Sequence, residues 1–164
     1  MKNCRILAML MLLTTSAVLR AEEYTHTPSG LKFTLPKGWK CIEEKGRLTI
    51  TNKDKSLYCV GGVIPKEAAK AIFDDIEKFI DQLEGWDEVE VTDGPQKEKV
   101  NGLMQTWYEG DAKFATGTGN AEVMQWDMTI VTGGKAVLFL IGTGELDDNE
   151  EGYEELFESI KKAE

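Results

Sequence analysis

Lys135-Ala136-Val137-Leu138-Phe139-Leu140-Ile141-Gly142 is the stretch that decides how this chain folds. Its apolar run, Ala136 to Ile141, lies between two glycine turn signals, Gly133-Gly134 and Gly142-Thr143-Gly144. A membrane span needs roughly 20 apolar residues, so the run is too short to be one. Val, Phe and Ile between breakers favour a strand over a helix. A strand that is apolar on both faces must be covered on both faces. The stretch is therefore read as the central strand of a sheet enclosed between other elements.

Upstream, Leu31–Leu35 alternates apolar and polar residues and reads as a half-buried strand. Residues 39–43, 47–51 and 56–64 read as three further short strands, the last bent at Gly61-Gly62. Pro65 then opens a helix whose apolar stripe (Ala69, Ile72, Phe73, Ile76, Phe79, Ile80, Leu83) recurs every three or four residues and stops at Gly85. Asp74 and Lys78 make an i,i+4 pair on its wet face. A strand over 86–92, a turn at Asp93-Gly94-Pro95, and a hairpin about Asn101-Gly102 follow. The second hairpin strand is read to Glu109 and a small-residue loop from 110 to 120. Residues 121–132 form a long strand with Met124, Trp126, Met128 and Ile130 on one face and Gln125, Asp127 and Thr129 on the other. Pairing across the 110–120 loop would put Met104 near Trp126, in the core. Residues 147–163 close the chain as a second amphipathic helix carrying Tyr153, Leu156, Phe157 and Ile160. The fold class is α+β: a largely antiparallel sheet of about six or more strands between helices, layered α/β/α.

Residues 1–21 carry a positive start (Lys2, Arg5), an apolar centre (Ile6–Leu13) and small residues up to Ala21. This is the pattern of a secretory signal peptide. Residues 22–29 read as a flexible lead-in and residues 30–164 as one domain. Removing Lys2, Arg5 and Arg20 from the 19 basic residues leaves 16 against 29 acids, a net charge of −13. That charge repels nucleic acid and anionic lipid. A periplasmic or secreted protein is expected, with no membrane span after signal removal.

Catalytic residue types are scarce. His26 is the single histidine and falls in the lead-in, where a general base could not be held in position. Zinc sites use clustered His and Cys. Gly117-Thr118-Gly119 and Gly142-Thr143-Gly144 lack the Lys-Ser/Thr of a phosphate loop and read as turns. The acidic segment 147–158 sets Asp147, Asn149, Gly152 and Glu158 at positions 1, 3, 6 and 12 of a calcium loop. Glu151 stands at position 5, where Asp or Asn is usual, and the preceding element is a strand instead of a helix. Acids at a helix start account for the segment. No metal or cofactor is assigned; Asp147, Asn149, Glu151 and Glu158 are the residues a calcium site would use. Cys41 and Cys59 form a candidate disulfide. An oxidising compartment favours it. A meander of the strands at 39–43, 47–51 and 56–64 opposes it, because the middle strand would separate the cysteines by ~9.6 Å when a bridge needs ~7 Å or less. In that meander Cys41 would lie opposite Ile50 and Cys59 opposite Leu48. The pairing is left open, with both thiols free and buried if the meander holds.

Gly30-Leu-Lys-Phe-Thr-Leu-Pro-Lys-Gly-Trp39, the helix that follows the early strands, the Val100-Asn-Gly-Leu103 turn and the Gly133-Gly-Lys-Ala-Val-Leu-Phe-Leu-Ile141 strand with its closing helix together resemble the PsbP-like and DcrB-like proteins. The resemblance covers nearly all of the chain after residue 29 and rests on structural motifs. It implies an antiparallel sheet with helices on both sides, the fold shared by a Ran-binding nuclear import factor. It also implies a binding or assembly role without catalysis. No residue here matches a photosystem or GTPase contact, so neither function is carried over. The resulting expectation is a non-enzymatic envelope protein whose partner is a protein or a small ligand. A carboxylate-dependent hydrolase and a calcium-binding module are the alternatives.

Overall fold

The computed structural model describes residues 22–115 and 121–164. The expected signal segment, residues 1–21, and Gly117-Thr118-Gly119 lie outside them. Among the described residues there are ten strands: β1 (Glu22–His26), β2 (Leu31–Leu35), β3 (Lys40–Glu44), β4 (Arg47–Thr51), β5 (Leu57–Ile64), β6 (Trp86–Val100), β7 (Leu103–Ala115), β8 (Ala121–Thr132), β9 (Val137–Gly144) and β10 (Lys161–Lys162). The helices are α1 (Lys66–Asp74), α2 (Ile76–Asp81) and α3 (Glu150–Glu158), with a 3-10 turn at Asp147–Asn149 before the last.

Seven strands make one sheet in the order β3-β4-β5-β9-β8-β7-β6, so β9 is its middle strand. It pairs antiparallel with β5 from Leu57↔Gly144 to Ile64↔Val137, and with β8 from Trp126↔Thr143 to Val131↔Leu138. The strand runs to Gly144, so Gly142-Thr143-Gly144 is not a turn. The Thr143 hydroxyl donates to the Gln125 carbonyl at 2.9 Å, and the pairing continues through the glycines. Both faces of β9 are covered. Leu138 and Leu140 pack with Leu31, Phe33, Ile50, Leu156 and Phe157 on one side. Val137 and Ile141 pack with Ile76, Ile80 and Met128 on the other. The α+β class and the antiparallel pairing hold, with one addition. The layer that contains α3 also holds a three-stranded sheet, β1-β2-β10.

That small sheet corrects the reading of residues 22–29. Instead of a flexible lead-in, Glu22–His26 is a strand paired with β2 from Glu22↔Leu35 to His26↔Leu31. β2 buries Leu31, Phe33 and Leu35 and offers a free edge. Tyr24 packs on Phe33 with ring centroids 5.2 Å apart. Glu23 reaches Lys32 at 3.1 Å and Lys161 at 3.3 Å. The segment's polar side chains thus make partners on the sheet.

The helix expected over 65–83 is two helices. Asp75 (φ −152°, ψ 74°) breaks it, and its carboxylate accepts from the Lys78 N–H at 3.2 Å, capping α2. An aspartate satisfies a helix start better than a helix interior. The break ends the helical register that would have joined Asp74 to Lys78. β6 absorbs the expected turn at Asp93-Gly94-Pro95 as one of several register shifts against β7. Bulges and a proline suit this edge strand, which pairs with no further strand among the described residues. The Asn101-Gly102 hairpin forms as read, with φ of 49° and 78°. β7 continues to Ala115 and pairs Met104↔Thr132, Gly110↔Trp126 and Ala115↔Ala121. Met104 is therefore six residues along the strand from the position facing Trp126, and it is 42% exposed. Gly110 occupies that position, where a side chain would collide with the Trp126 ring.

Candidate functional site

The outer strands β6, β7 and β8 and helix α3 enclose an open cleft of about 860 Å³. Strand alternation fixes one wall. Gln105, Trp107 and Glu109 of β7 and Gln125, Asp127 and Thr129 of β8 share the face towards α3, opposite the apolar stripe of β8. The other wall is α3 and the 3-10 turn. It is held down by buried Tyr153, Leu156 and Phe157 and fringed by exposed Asp147, Glu150, Glu154 and Glu158. Asn101, at the tip of the β6–β7 hairpin, closes one end. Its amide donates to the carbonyls of Glu158 (2.6 Å) and Ile160 (3.0 Å). It thereby satisfies acceptors that a helix C-terminus leaves open.

Asp127 is the half-buried acid of the sheet wall. Burial, then the neighbouring Glu109 and Asp147, push its carboxyl up to about 6. Glu109 is its direct cross-strand partner. Such partners have Cβ atoms ~5 Å apart, close enough to repel. The Tyr153 hydroxyl donates to the Asp127 carbonyl at 3.2 Å, which pins α3 to β8. Gln105 is fully buried. Its amide donates to the Phe157 carbonyl at 2.8 Å, and its Oε1 has no hydrogen-bond partner.

The residues singled out from sequence lie elsewhere or apart. His26 is buried instead of loose. Its Nδ1 is 2.9 Å from the Ser29 hydroxyl and its Nε2 is 3.9 Å from Glu43. Burial lowers its pKa, opposed by Glu43. It is not among the cleft residues. Asp147 and Glu158 sit at opposite ends of the turn and helix, a rise of about 16 Å for eleven residues. One ion cannot reach both. Both ends of the Asn149 amide are engaged: Oδ1 accepts from Asn52 at 2.9 Å, and Nδ2 donates to the Glu145 carbonyl at 2.7 Å. Among the described residues, no three His, Cys, Asp or Glu side chains converge as metal ligands.

Strands β3, β4 and β5 are consecutive neighbours, and Cys41 and Cys59 are both free thiols. The register differs from the one read from the turns: Cys41 and Cys59 both lie opposite Ile50, and Leu48 faces Gly61. The cysteines are thus level, with one strand between them. Cys59 is buried and Cys41 only half-buried. Burial raises both thiols, Cys59 to about 12 and Cys41, with Glu43 adding to the effect, to about 11.

Glu109, Asp127, Gln105 and Trp107 escape a search for motifs. Only Asp127 carries a signal in the sequence, the polar face of β8, and the β7 residues join it only through the pairing of the two strands.

No family model and no curated protein matches the chain. Solved structures do. A crystal structure from Bacteroides thetaiotaomicron VPI-5482 superposes with a TM-score of 0.54 at 10% identity, over 88% of this chain and 49% of that one. The chain thus spans about half the length of that neighbour. The solution structure of cyanobacterial PsbP (CyanoP) from Synechocystis sp. PCC 6803 superposes with a TM-score of 0.55 at 18% identity, over 90% of this chain and 95% of that one. LpqN of Mycobacterium tuberculosis, described as involved in cell envelope biogenesis, aligns at 12% identity over 87% of this chain and 90% of that one, with a TM-score of 0.47. The fold is PsbP-like. The DcrB-like part of the resemblance stays an expectation.

Proposed function

We propose that this chain is a secreted or periplasmic binding protein without catalytic activity, and that it holds its ligand in the acidic cleft. The carrying observation is the cleft itself. It is open, of a size suited to a small molecule, and lined by carboxylates that enter no ion pair among the described residues. The leader-like residues 1–21 support an extracytoplasmic location, and no helix among the described residues is long and apolar enough to cross a membrane. Native mass spectrometry of the protein recovered from its own envelope extract tests the reading. The expected result is a chain beginning near Glu22 that carries a non-covalent ligand. An intact Met1 in the cytosolic fraction would overturn the location, and an empty cleft in every preparation would overturn the binding role.

A second reading, carboxylate-dependent hydrolysis, draws on Asp127. A carboxyl raised towards neutrality in a cleft is the mark of a general acid. Against it, its nearest partner Glu109 stands on the same wall, whereas a hydrolytic pair flanks the bond it cleaves. Turnover of a hydrolysable substrate that disappears in Asp127→Asn would establish this second reading.

A further inference from the structure

We infer that the cleft binds a linear alkyl polyamine, a ligand with several ammonium groups strung along methylene segments. The inference rests on the binding reading above and names the ligand class for the same site. Eight carboxylates and one cation, Lys99, line the cleft. None of the eight takes part in an ion pair among the described residues. Glu150, Glu154 and Glu158 stand at i,i+4 steps along α3, where like charges repel. The last turn of that helix also holds no basic residue, although the negative end of the dipole favours one. Conflicts of this kind between local stability and sequence are expected at functional sites.

Gln105 is an independent sign. Its Oε1 is a buried acceptor in the cleft wall with nothing to accept from, and such a group is costly to leave unpaired. The eight carboxylates and Gln105 ask for donors, while the unpaired indole N–H of Trp126 belongs to the opposite, apolar face of β8. Ammonium groups are donors only. An extended peptide would bring an acceptor with every donor, and the backbones of β7, and of β8 from Trp126 to Val131, are already paired on both sides. A compact metal ion fits no better, because the carboxylates are strung out and do not converge. Successive glutamates on α3 rise by ~6 Å. Ammonium groups joined by three or four methylenes are spaced by roughly 5–6 Å from ordinary bond lengths. Trp107, Tyr153 and Phe157 line the same cleft and offer apolar surface to the methylenes, and Trp107 adds an aromatic face for a cation.

Isothermal titration of the purified protein with spermidine, at low and at physiological salt, tests this. A 1:1 isotherm is expected. Glu150→Gln/Glu154→Gln/Glu158→Gln removes three exposed charges without touching the core and should weaken binding by about tenfold or more. A control, Glu67→Gln/Asp74→Asn/Glu84→Gln, carries the same net charge on exposed sites away from the cleft and should stay within about twofold of the parent. Equal weakening in both triples would mean bulk attraction of charge and would overturn the proposal. So would the absence of spermidine binding at millimolar levels, or tighter binding of Ca²⁺ or a lysine-rich peptide at the same carboxylates. If native mass spectrometry found a different small molecule in the cleft, the polyamine assignment would fall and the binding reading would stand.

Discussion

Asp127→Asn should make the protein more stable at neutral pH. The folded-state carboxyl titrates near 6 against an ordinary 3.8. The pH dependence follows directly. Below about pH 4 both the folded and unfolded chains hold the proton, and the carboxyl costs nothing. Between about 4 and 6 the unfolded chain releases the proton while the folded chain retains it, so stability falls as pH rises. Above about 6 both are ionised and the loss is complete. A fully enclosed carboxyl with that displacement would cost about 3 kcal/mol. Asp127 is only half-buried, and solvent screening brings the figure to about 1–2 kcal/mol. The groups that face it, Glu109 on β7, Asp147 on the 3-10 turn and Tyr153 on α3, bring no cation. Chemical denaturation of parent and variant at a series of pH values reads the difference. It should be near zero at about pH 3.5, open between about 4 and 6, and stay constant above. A difference that is flat with pH, or a variant less stable at pH 7.5, would refute the idea that the cleft strains this carboxylate.

Leu140→Ala removes a fully buried side chain from β9 and should cost about 2–5 kcal/mol in denaturation; a loss under about 1 kcal/mol would mean that the face towards α3 is loosely packed. The intact mass of the non-reduced protein should equal that of the reduced one, and Cys59 should react with an alkylating reagent only on unfolding; a mass two hydrogens lighter would show a bridge and a different order of β3, β4 and β5. Calorimetric titration should give no calcium dissociation constant below ~10⁻⁵ M, the range of sensor loops; a tighter site would mean that α3 can unwind around an ion.

The frame was legible where local chemistry and tertiary demand agree. The apolar run Ala136–Ile141 between glycines favours a strand buried on both faces, and β9, from Val137, is the middle one. Asn101-Gly102 supplies two positive-φ residues, and the hairpin turns there. The misread elements share a cause: their partners lie far away in the chain. Glu22–His26 is polar, and the free edge of β2, the Phe33 ring and the lysines at 32 and 161 make it a strand. Asp75 sits in an unbroken apolar stripe, yet its carboxylate serves α2 better as a cap. The β7–β8 register depended on where a glycine-rich loop begins, and Gly110, which resembled loop, is the seat of Trp126. The cleft was hidden for the same reason. Its acids come from β6, β7, β8, the 3-10 turn and α3, and nothing in their spacing marks them as neighbours.

The central position of β9 also bears on how the protein is made. Of the large sheet, β3–β5 are synthesised first, α1 and α2 follow, and β6–β8 come after them. Until residues 137–144 emerge, the large sheet is two separate ribbons, each with a bare inner edge at β5 or β8. Unpaired edges of this kind invite pairing with other chains. The ninth strand zips both ribbons together in a single step. A product cut before Val137 would keep most of the sequence and still present two adhesive edges. During synthesis, the hazard of aggregation is therefore concentrated in the time before this one strand arrives.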